Sequence, residues 1–433
     1  MYAPFVQSGR RQPIHTVYGG AHLFRADTAA RLGATARRVL HEYAPDAATL
    51  ASALGCPLAN ADTIYNRVVE KLQREPVEDF RLDFEDGYGN RPDPEEDGHA
   101  ASAAREVAAA FAGGTLPPFI GIRIKPLNDE LGRRALRTAD LFLTALLDQT
   151  RDRLPANFVV TLPKITSRDQ IVTLARTFDK LETTWHLPRG SLRMELMVEM
   201  PQSIFDANGA ASLPALVSAG DGRVVAAHFG TYDYTASLGI TAAYQHMRHP
   251  ACDFARHVMQ VALAGSDIWL SDGATNVLPV PVHRPPETGN ATSGAKHSLT
   301  PVQIQENRAA VHRAWKLHYD DVRHSLVNAF YQGWDLHPAQ LVTRYAAVYG
   351  FFLESLDAAS ERLSNFIAKA AQATLVGEVF DDAATGQGLL NYFLRALNCG
   401  AVREDEMGKL TGLTLDELRS ASFVKIVKGR TGT

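Results

Sequence analysis

The chain has 433 residues, a formal net charge of −4, 45% hydrophobic residues and 21% charged residues. This composition suits a globular enzyme rather than a disordered chain, and the charge offers no basic field for nucleic acid or an anionic membrane. No apolar run approaches the roughly 20 residues that span a bilayer, the opening MYAPFVQSGRRQP has no secretory apolar core, and the scattered Cys56, Cys252 and Cys399 form neither a zinc pattern nor a disulfide framework, so the expected compartment is the reducing cytoplasm.

Strands are predicted near Ile14–Tyr18, Phe80–Phe84, Phe119–Ile124, Phe158–Leu162, Leu192–Glu199, Val224–Phe229, Asp267–Leu270 and Gln332–Leu336. Several are continuous apolar runs such as FVVTL and MELMV, as expected of strands buried on both faces. Helical patterns separate them, among them Ala100–Phe111, Leu131–Leu147 and Arg168–Thr177. Eight strands with intervening helices predict an α/β chain folded as a closed (β/α)8 TIM barrel, with a doubly wound open sheet as the alternative. The chain exceeds the roughly 250 residues of a plain barrel. Residues 20–78 carry the pattern of about two helices, residues 278–299 read as a long exposed loop, and the region after the eighth strand is mostly helical, interrupted at Gly377–Gly388. The expected organisation is a catalytic barrel over residues 1–357 with helical insertions, then a helical extension over 358–433 carrying a lid segment.

Catalytic groups of such barrels sit where the strands end. The second strand ends in Asp83-Phe84-Glu85-Asp86-Gly87, the third in Arg123-Ile124-Lys125, the fifth in Glu199, and the sixth runs into Gly230-Thr231-Tyr232-Asp233-Tyr234. A carboxylate in an apolar strand is costly to bury, and several converging at one mouth call for a cation. Mg²⁺ fits, because it prefers oxygen and takes one or two carboxylates together with water and substrate oxygens. Plainer readings exist for each residue. Asp83, Glu85 and Asp86 can form a solvated turn, Glu195 a buried salt bridge, Arg123 an interior brace, and Asp233 a helix N-cap.

The order DFEDG, GIRIK, TLPK, LMVE, FGTYDYTASLG and GWDLHP, spanning residues 14 to 386, resembles the citrate lyase β-subunit superfamily (HpcH/HpaI aldolases), which includes malyl-CoA lyases and malate synthases. Its members carry an L-E-D-G-like turn, R-[IV]-N, a P-K pair, a terminal Glu, G-x-x-D-[YL] and G-K-x-x-[IL]-H-P. The segment Val379-Phe380-Asp381-Asp382-Ala383-Ala384-Thr385 resembles their M-[EI]-D-x-x-T motif. This sequence departs from the pattern with Ile124-Lys125 after Arg123, and with Trp334-Asp335 after Gly333.

The resemblance implies a lyase or aldolase acting on a 2-oxo or hydroxy acid, or on its CoA thioester, through an enolate. It implies Mg²⁺ held by Glu199 and Asp233, and Arg123 stabilising negative oxygen. The substrate carboxylate is taken by Arg123 and by backbone N–H groups around Gly230, Thr231 and Tyr232. Asp382 is implied as the catalytic acid/base, the alternative being an N-cap of a helix near Leu389. Glu85, Asp86 and Lys164 support these groups, and a Schiff base at Lys164 is the less favoured alternative. A homo-oligomer, trimer or hexamer, is implied, because in malyl-CoA lyase-like members the acid/base comes from a neighbouring subunit. A malate-synthase-like condensing enzyme, an aldolase of free 2-oxo acids and a non-catalytic binding subunit are the competing readings.

Overall fold

The computed structural model describes residues 11–56, 59–284, 299–368, 374–376, 379–381, 383–420, 422, 425–426 and 429–430. Eight parallel strands close into a barrel in chain order: β1 (His15–Gly20), β2 (Asp79–Asp83), β3 (Phe119–Arg123), β4 (Phe158–Leu162), β5 (Arg193–Val198), β6 (Val224–Phe229), β7 (Trp269–Ala274) and β8 (Gln332–Asp335). The sequence expectation of a (β/α)8 barrel holds. Parallel neighbours need a crossover, and helices such as Asp93–Ala112, Gly132–Thr150 and Arg168–Thr184 supply it. β2, β3 and β4 are buried along their whole length, one face in the barrel and the other under the helices.

Two expectations within the barrel shift. Between β1 and β2 lie three α-helices, Thr28–Tyr43, Ala47–Leu54 and Ala61–Arg74, rather than two. The short middle helix is set off by local signals. The Asp46 carboxylate caps it by accepting from the Thr49 backbone N–H at 2.7 Å, and Gly55 ends it at φ +61°. The seventh strand begins and ends later than Asp267–Leu270, because Ser-Asp-Gly belongs to the strand and not to a turn. Asp272 is accommodated there by Arg256, whose Nη1 donates to both carboxylate oxygens at 2.8 Å, and by the Ser325 hydroxyl at 2.6 Å. Most of the predicted 278–299 loop, residues 285–298, lies outside the described residues.

Beyond β8, helices Gln340–Glu354 and Leu356–Ala368 are followed by a two-stranded antiparallel hairpin, β9 (Thr374–Val376) and β10 (Val379–Asp381). A helix then runs over Ala383–Cys399, so Gly386 and Gly388 are helical rather than part of an interruption. That helix shares the core of the barrel through Leu390, Phe393 and Ala396. Its Leu394, Arg395 and Cys399 meet Gln12, Ile14 and Trp269, which lie before or at the first residues of β1 and β7. The helix therefore packs at the N-terminal end of the barrel. Among the described residues no helix is long and apolar enough to cross a membrane.

Candidate active site at the C-terminal mouth of the barrel

The strand-end residues singled out in the sequence converge at the opposite end. Asp83, Asp86, Arg123, Glu199, Gly230, Thr231, Tyr232 and Asp233 line one cavity of about 470 Å³ with Tyr18 and Trp334. β2 and β3 pair with Asp83 opposite Arg123, and this register creates the first part of the site. Arg123 donates from Nε at 2.7 Å and from Nη2 at 2.5 Å to the two oxygens of Asp83. The same carboxylate accepts backbone N–H groups of Glu85 at 3.0 Å and Gly87 at 2.7 Å. Burial alone would raise the Asp83 pKa, but the guanidinium and these donors hold it below the usual range. The acidic turn is thus not merely solvated: Asp83 is buried and braces Arg123, while Asp86 is exposed.

The remaining guanidinium nitrogen of Arg123, Nη1, lies 3.1 Å from Glu85 and 3.7 Å from Asp86. Lys164 completes this side. Its ammonium bonds Glu85 and stands 3.5 Å from both Asp86 and Asp233. Burial lowers the Lys164 pKa, yet Glu199, Glu85 and Asp86 together raise it above its ordinary value, so the group is charged at neutral pH. Lys164 also has a left-handed backbone, φ +49°, unusual for a residue with a side chain. There its backbone N–H donates to Glu199 Oε1 at 2.7 Å.

Glu199, one residue past β5, is buried. Burial raises its pKa, Asp233 and Glu85 push it further, and the pull of Lys164 does not compensate, so it stands at about 8. Glu85 is raised for similar reasons, burial first and Asp86 next; one of its oxygens is buried without a hydrogen-bond partner. Gly230, directly after β6, lets that strand pass close by. A Cβ there would fall 2.5 Å from Glu199 Cβ and 2.6 Å from Oε2. The seven-residue helix Thr231–Ser237 follows and carries Asp233 in its first turn, with no side-chain cap bond.

The hydroxyls of two predicted substrate contacts are already engaged. Tyr232 donates to Ala274 O at 2.9 Å and accepts from Asn276 N at 3.0 Å, and Thr231 donates to Met247 Sδ at 3.1 Å. What these residues can offer a ligand is backbone N–H and, for Tyr232, the ring. Asp382 lies outside the described residues, directly before the helix Ala383–Cys399.

The departures from the family pattern have structural roles. Lys125 is buried and donates to Glu96 and to Phe84 O, both at 2.7 Å, tying the β2 and β3 ends to helix Asp93–Ala112. Asp335 faces out of the barrel, held by Arg344 at 2.9 Å and His15 at 2.9 Å. The sequence reading missed Asp83 as the chief brace of Arg123, and it missed Tyr18. An alternation argument along β1 would have pointed Tyr18 inward with Thr16 and Gly20.

Among the described residues no three His, Cys, Asp or Glu side chains gather as a ready-made metal cage. The donor chemistry nevertheless fits Mg²⁺, which needs only one or two carboxylates. Glu199 offers a carboxylate whose pKa is raised by burial first and then by its acidic neighbours, Asp233 among them.

A parallel (β/α)8 barrel with an arginine and a carboxylate cluster at its C-terminal mouth is the class that this fold and site define. The chain belongs to the family described as a domain of unknown function, DUF6986, whose signature matches residues 5–426. Comparison with curated proteins gave no match. Among solved structures, a citrate lyase from Burkholderia xenovorans LB400 aligns with TM-score 0.55 and 17% identity over 96% of this chain and 97% of that one. A Haloferax volcanii malate synthase, solved as a magnesium/glyoxylate complex, aligns with TM-score 0.48 and 14% identity over 95% of this chain and 98% of that one. At 17% identity the likeness to the citrate lyase is one of fold.

Proposed function

We propose that the protein is a Mg²⁺-dependent carbon–carbon lyase or aldolase that cleaves or forms a 2- or 3-hydroxy acid, or its CoA thioester, through an enolate. One observation carries the reading: a buried Glu199 with its pKa raised to about 8 shares the barrel mouth with Asp233, beside an arginine clamped by Asp83. Glu199 and Asp233 would hold the ion. When bound, Mg²⁺ supplies Lewis-acid polarisation of the substrate oxygen.

The chain's own residues do the rest. Arg123, fixed through two bonds to Asp83, lines the mouth and would stabilise negative oxygen as the carbon–carbon bond breaks. The first-turn N–H groups of Thr231–Asp233 receive the substrate carboxylate, and Gly230 permits the approach. Lys164, charged and engaged by Glu85, positions the acidic turn; its raised pKa counts against a Schiff base, which needs the neutral amine. Asp382 moves the proton at the enolate carbon. Because the helix that follows it packs at the other end of its own barrel, Asp382 would serve the mouth of a neighbouring copy in a homo-oligomer. A trimer or hexamer is the proposed assembly, and the cytoplasm the proposed compartment.

The test is incubation with Mg²⁺, acetyl-CoA or propionyl-CoA, and glyoxylate or pyruvate, followed by mass spectrometry of the thioesters. A hydroxyacyl-CoA product is expected. Free thiol with malate would shift the reading to a condensing enzyme, and a product formed only from free 2-oxo acids to an aldolase that ignores CoA. Absence of turnover in every combination overturns the enzymatic reading. Asp382→Asn is expected to lose about 100-fold or more in rate with Mg²⁺ affinity unchanged.

A further inference from the structure

The mouth holds a polar group that none of these roles uses. Trp334, on β8, lines the same cavity as Arg123, Glu199 and Asp233. Its indole Nε1 is buried and has no hydrogen-bond partner. A buried indole N–H ordinarily finds an acceptor, and one left unmet is a standing cost.

The surroundings offer no internal remedy. The indole ring packs on Tyr18, centroids 4.5 Å apart, and the Arg123 guanidinium lies 5.9 Å from the Trp334 ring and 4.9 Å from the Tyr18 ring. The strand itself is pinned, since Arg344 donates to Trp334 O at 3.0 Å and grips Asp335. Asp83 is engaged by Arg123, one Glu85 oxygen by Lys164 and one Glu199 oxygen by the Lys164 backbone, and no carboxylate of the mouth reaches the indole nitrogen. With no partner among the described residues, the indole N–H is open to an acceptor that a ligand supplies. The guanidinium beside it favours an anionic oxygen. Tyr232, Ala274 and Leu336 also line the cavity and suit a small apolar substituent on that anion.

We infer that the Trp334 indole N–H donates to a carboxylate oxygen of a short 2-oxo acid held beside Arg123, making Trp334 a specificity-determining residue of the mouth. The inference rests on the functional reading above. The nitrogen is covered by its neighbours, so donation comes with a small rotation of the indole, which tryptophan fluorescence reports.

Binding of oxalate and of pyruvate is measured by calorimetry and by fluorescence, with Mg²⁺ present, on the full chain. Trp334→Phe keeps the stack on Tyr18 and removes the N–H. It is expected to weaken oxalate binding about tenfold, the worth of one charge-assisted hydrogen bond, with thermal midpoint and Mg²⁺ affinity unchanged. Trp334→His, which retains a ring N–H, is expected to recover part of the loss and tests the idea should the Phe variant fold poorly. If wild type binds oxalate and Trp334→Phe binds it within threefold, the role of Trp334 is overturned while the site reading stands. If wild type binds neither acid, both are overturned.

Discussion

Glu195 lies on β5 and Glu199 one residue past its end, and both are buried, at 4% and 1% exposure. They titrate in opposite directions. Burial would raise Glu195, yet Arg81 and His228 hold it well below the ordinary range. Arg81 donates to its two oxygens at 2.9 and 2.5 Å, and the Thr161 hydroxyl adds a third bond at 2.9 Å. Glu199 has one backbone N–H and a shared lysine, against the repulsion of Asp233 and Glu85. Burial is common to both, so the partners decide. The interior layer is neutralised by the chain itself, whereas the mouth retains a negative bias, which under the proposed function a divalent cation would relieve. This separates the part of the barrel that supports the fold from the part to which the proposed function assigns the chemistry.

The sharpest way to break the comparison is to remove the interior partner. Arg81→Met leaves Asp79 and Glu195 buried without their shared guanidinium. A loss of about 3–5 kcal/mol is expected in urea unfolding; a variant as stable as wild type would show that the layer is not held by its ion pairs.

A second prediction concerns pH. In the unfolded chain Glu199 titrates near its ordinary 4.5, and in the fold near 8. Between those values the folded state keeps a proton that the unfolded state has lost, so stability present below 4.5 is lost progressively as pH rises toward 8. With chelator present, the thermal midpoint should fall across this window, and Glu199→Gln should flatten that fall. Held by Glu199 as proposed, Mg²⁺ would displace the same proton, so its affinity should rise about tenfold per pH unit and level off near 8. An affinity independent of pH would remove Glu199 from the metal site.

The smallest expected effect is steric. Gly230→Ala would place a Cβ 2.5 Å from Glu199 Cβ. About 1–3 kcal/mol of destabilisation is expected, with weaker Mg²⁺ binding by titration calorimetry. Unchanged Mg²⁺ affinity would mean that the close passage of β6 does not set the Glu199 carboxylate.

Much of the fold was legible because its signal is local. Runs such as FVVTL in β4 can be buried on both faces and in few other ways. The seventh strand was read short because Ser271, Asp272 and Gly273 look like a turn, and only Arg256 and Ser325, distant in sequence, make Asp272 a strand residue. The short helix Ala47–Leu54 was merged with its neighbours although Asp46 and Gly55 mark both of its ends.

At the site the same division applies. The sequence by itself determined which residues stand at strand ends, because strand periodicity and polar interruptions are written along the chain; Arg123, Glu199, Gly230 and Asp233 follow from that alone, as does the barrel. Only the tertiary structure decided how they pair. The β2–β3 register put Asp83 rather than Glu85 across from Arg123, the left-handed turn at Lys164 delivered a backbone donor to Glu199, and closure of β8 onto β1 stacked Trp334 on Tyr18. Charge and hydrogen bonding act over a few ångströms in space whatever the separation in sequence, so the protonation of each carboxylate depends on contacts that no linear pattern contains.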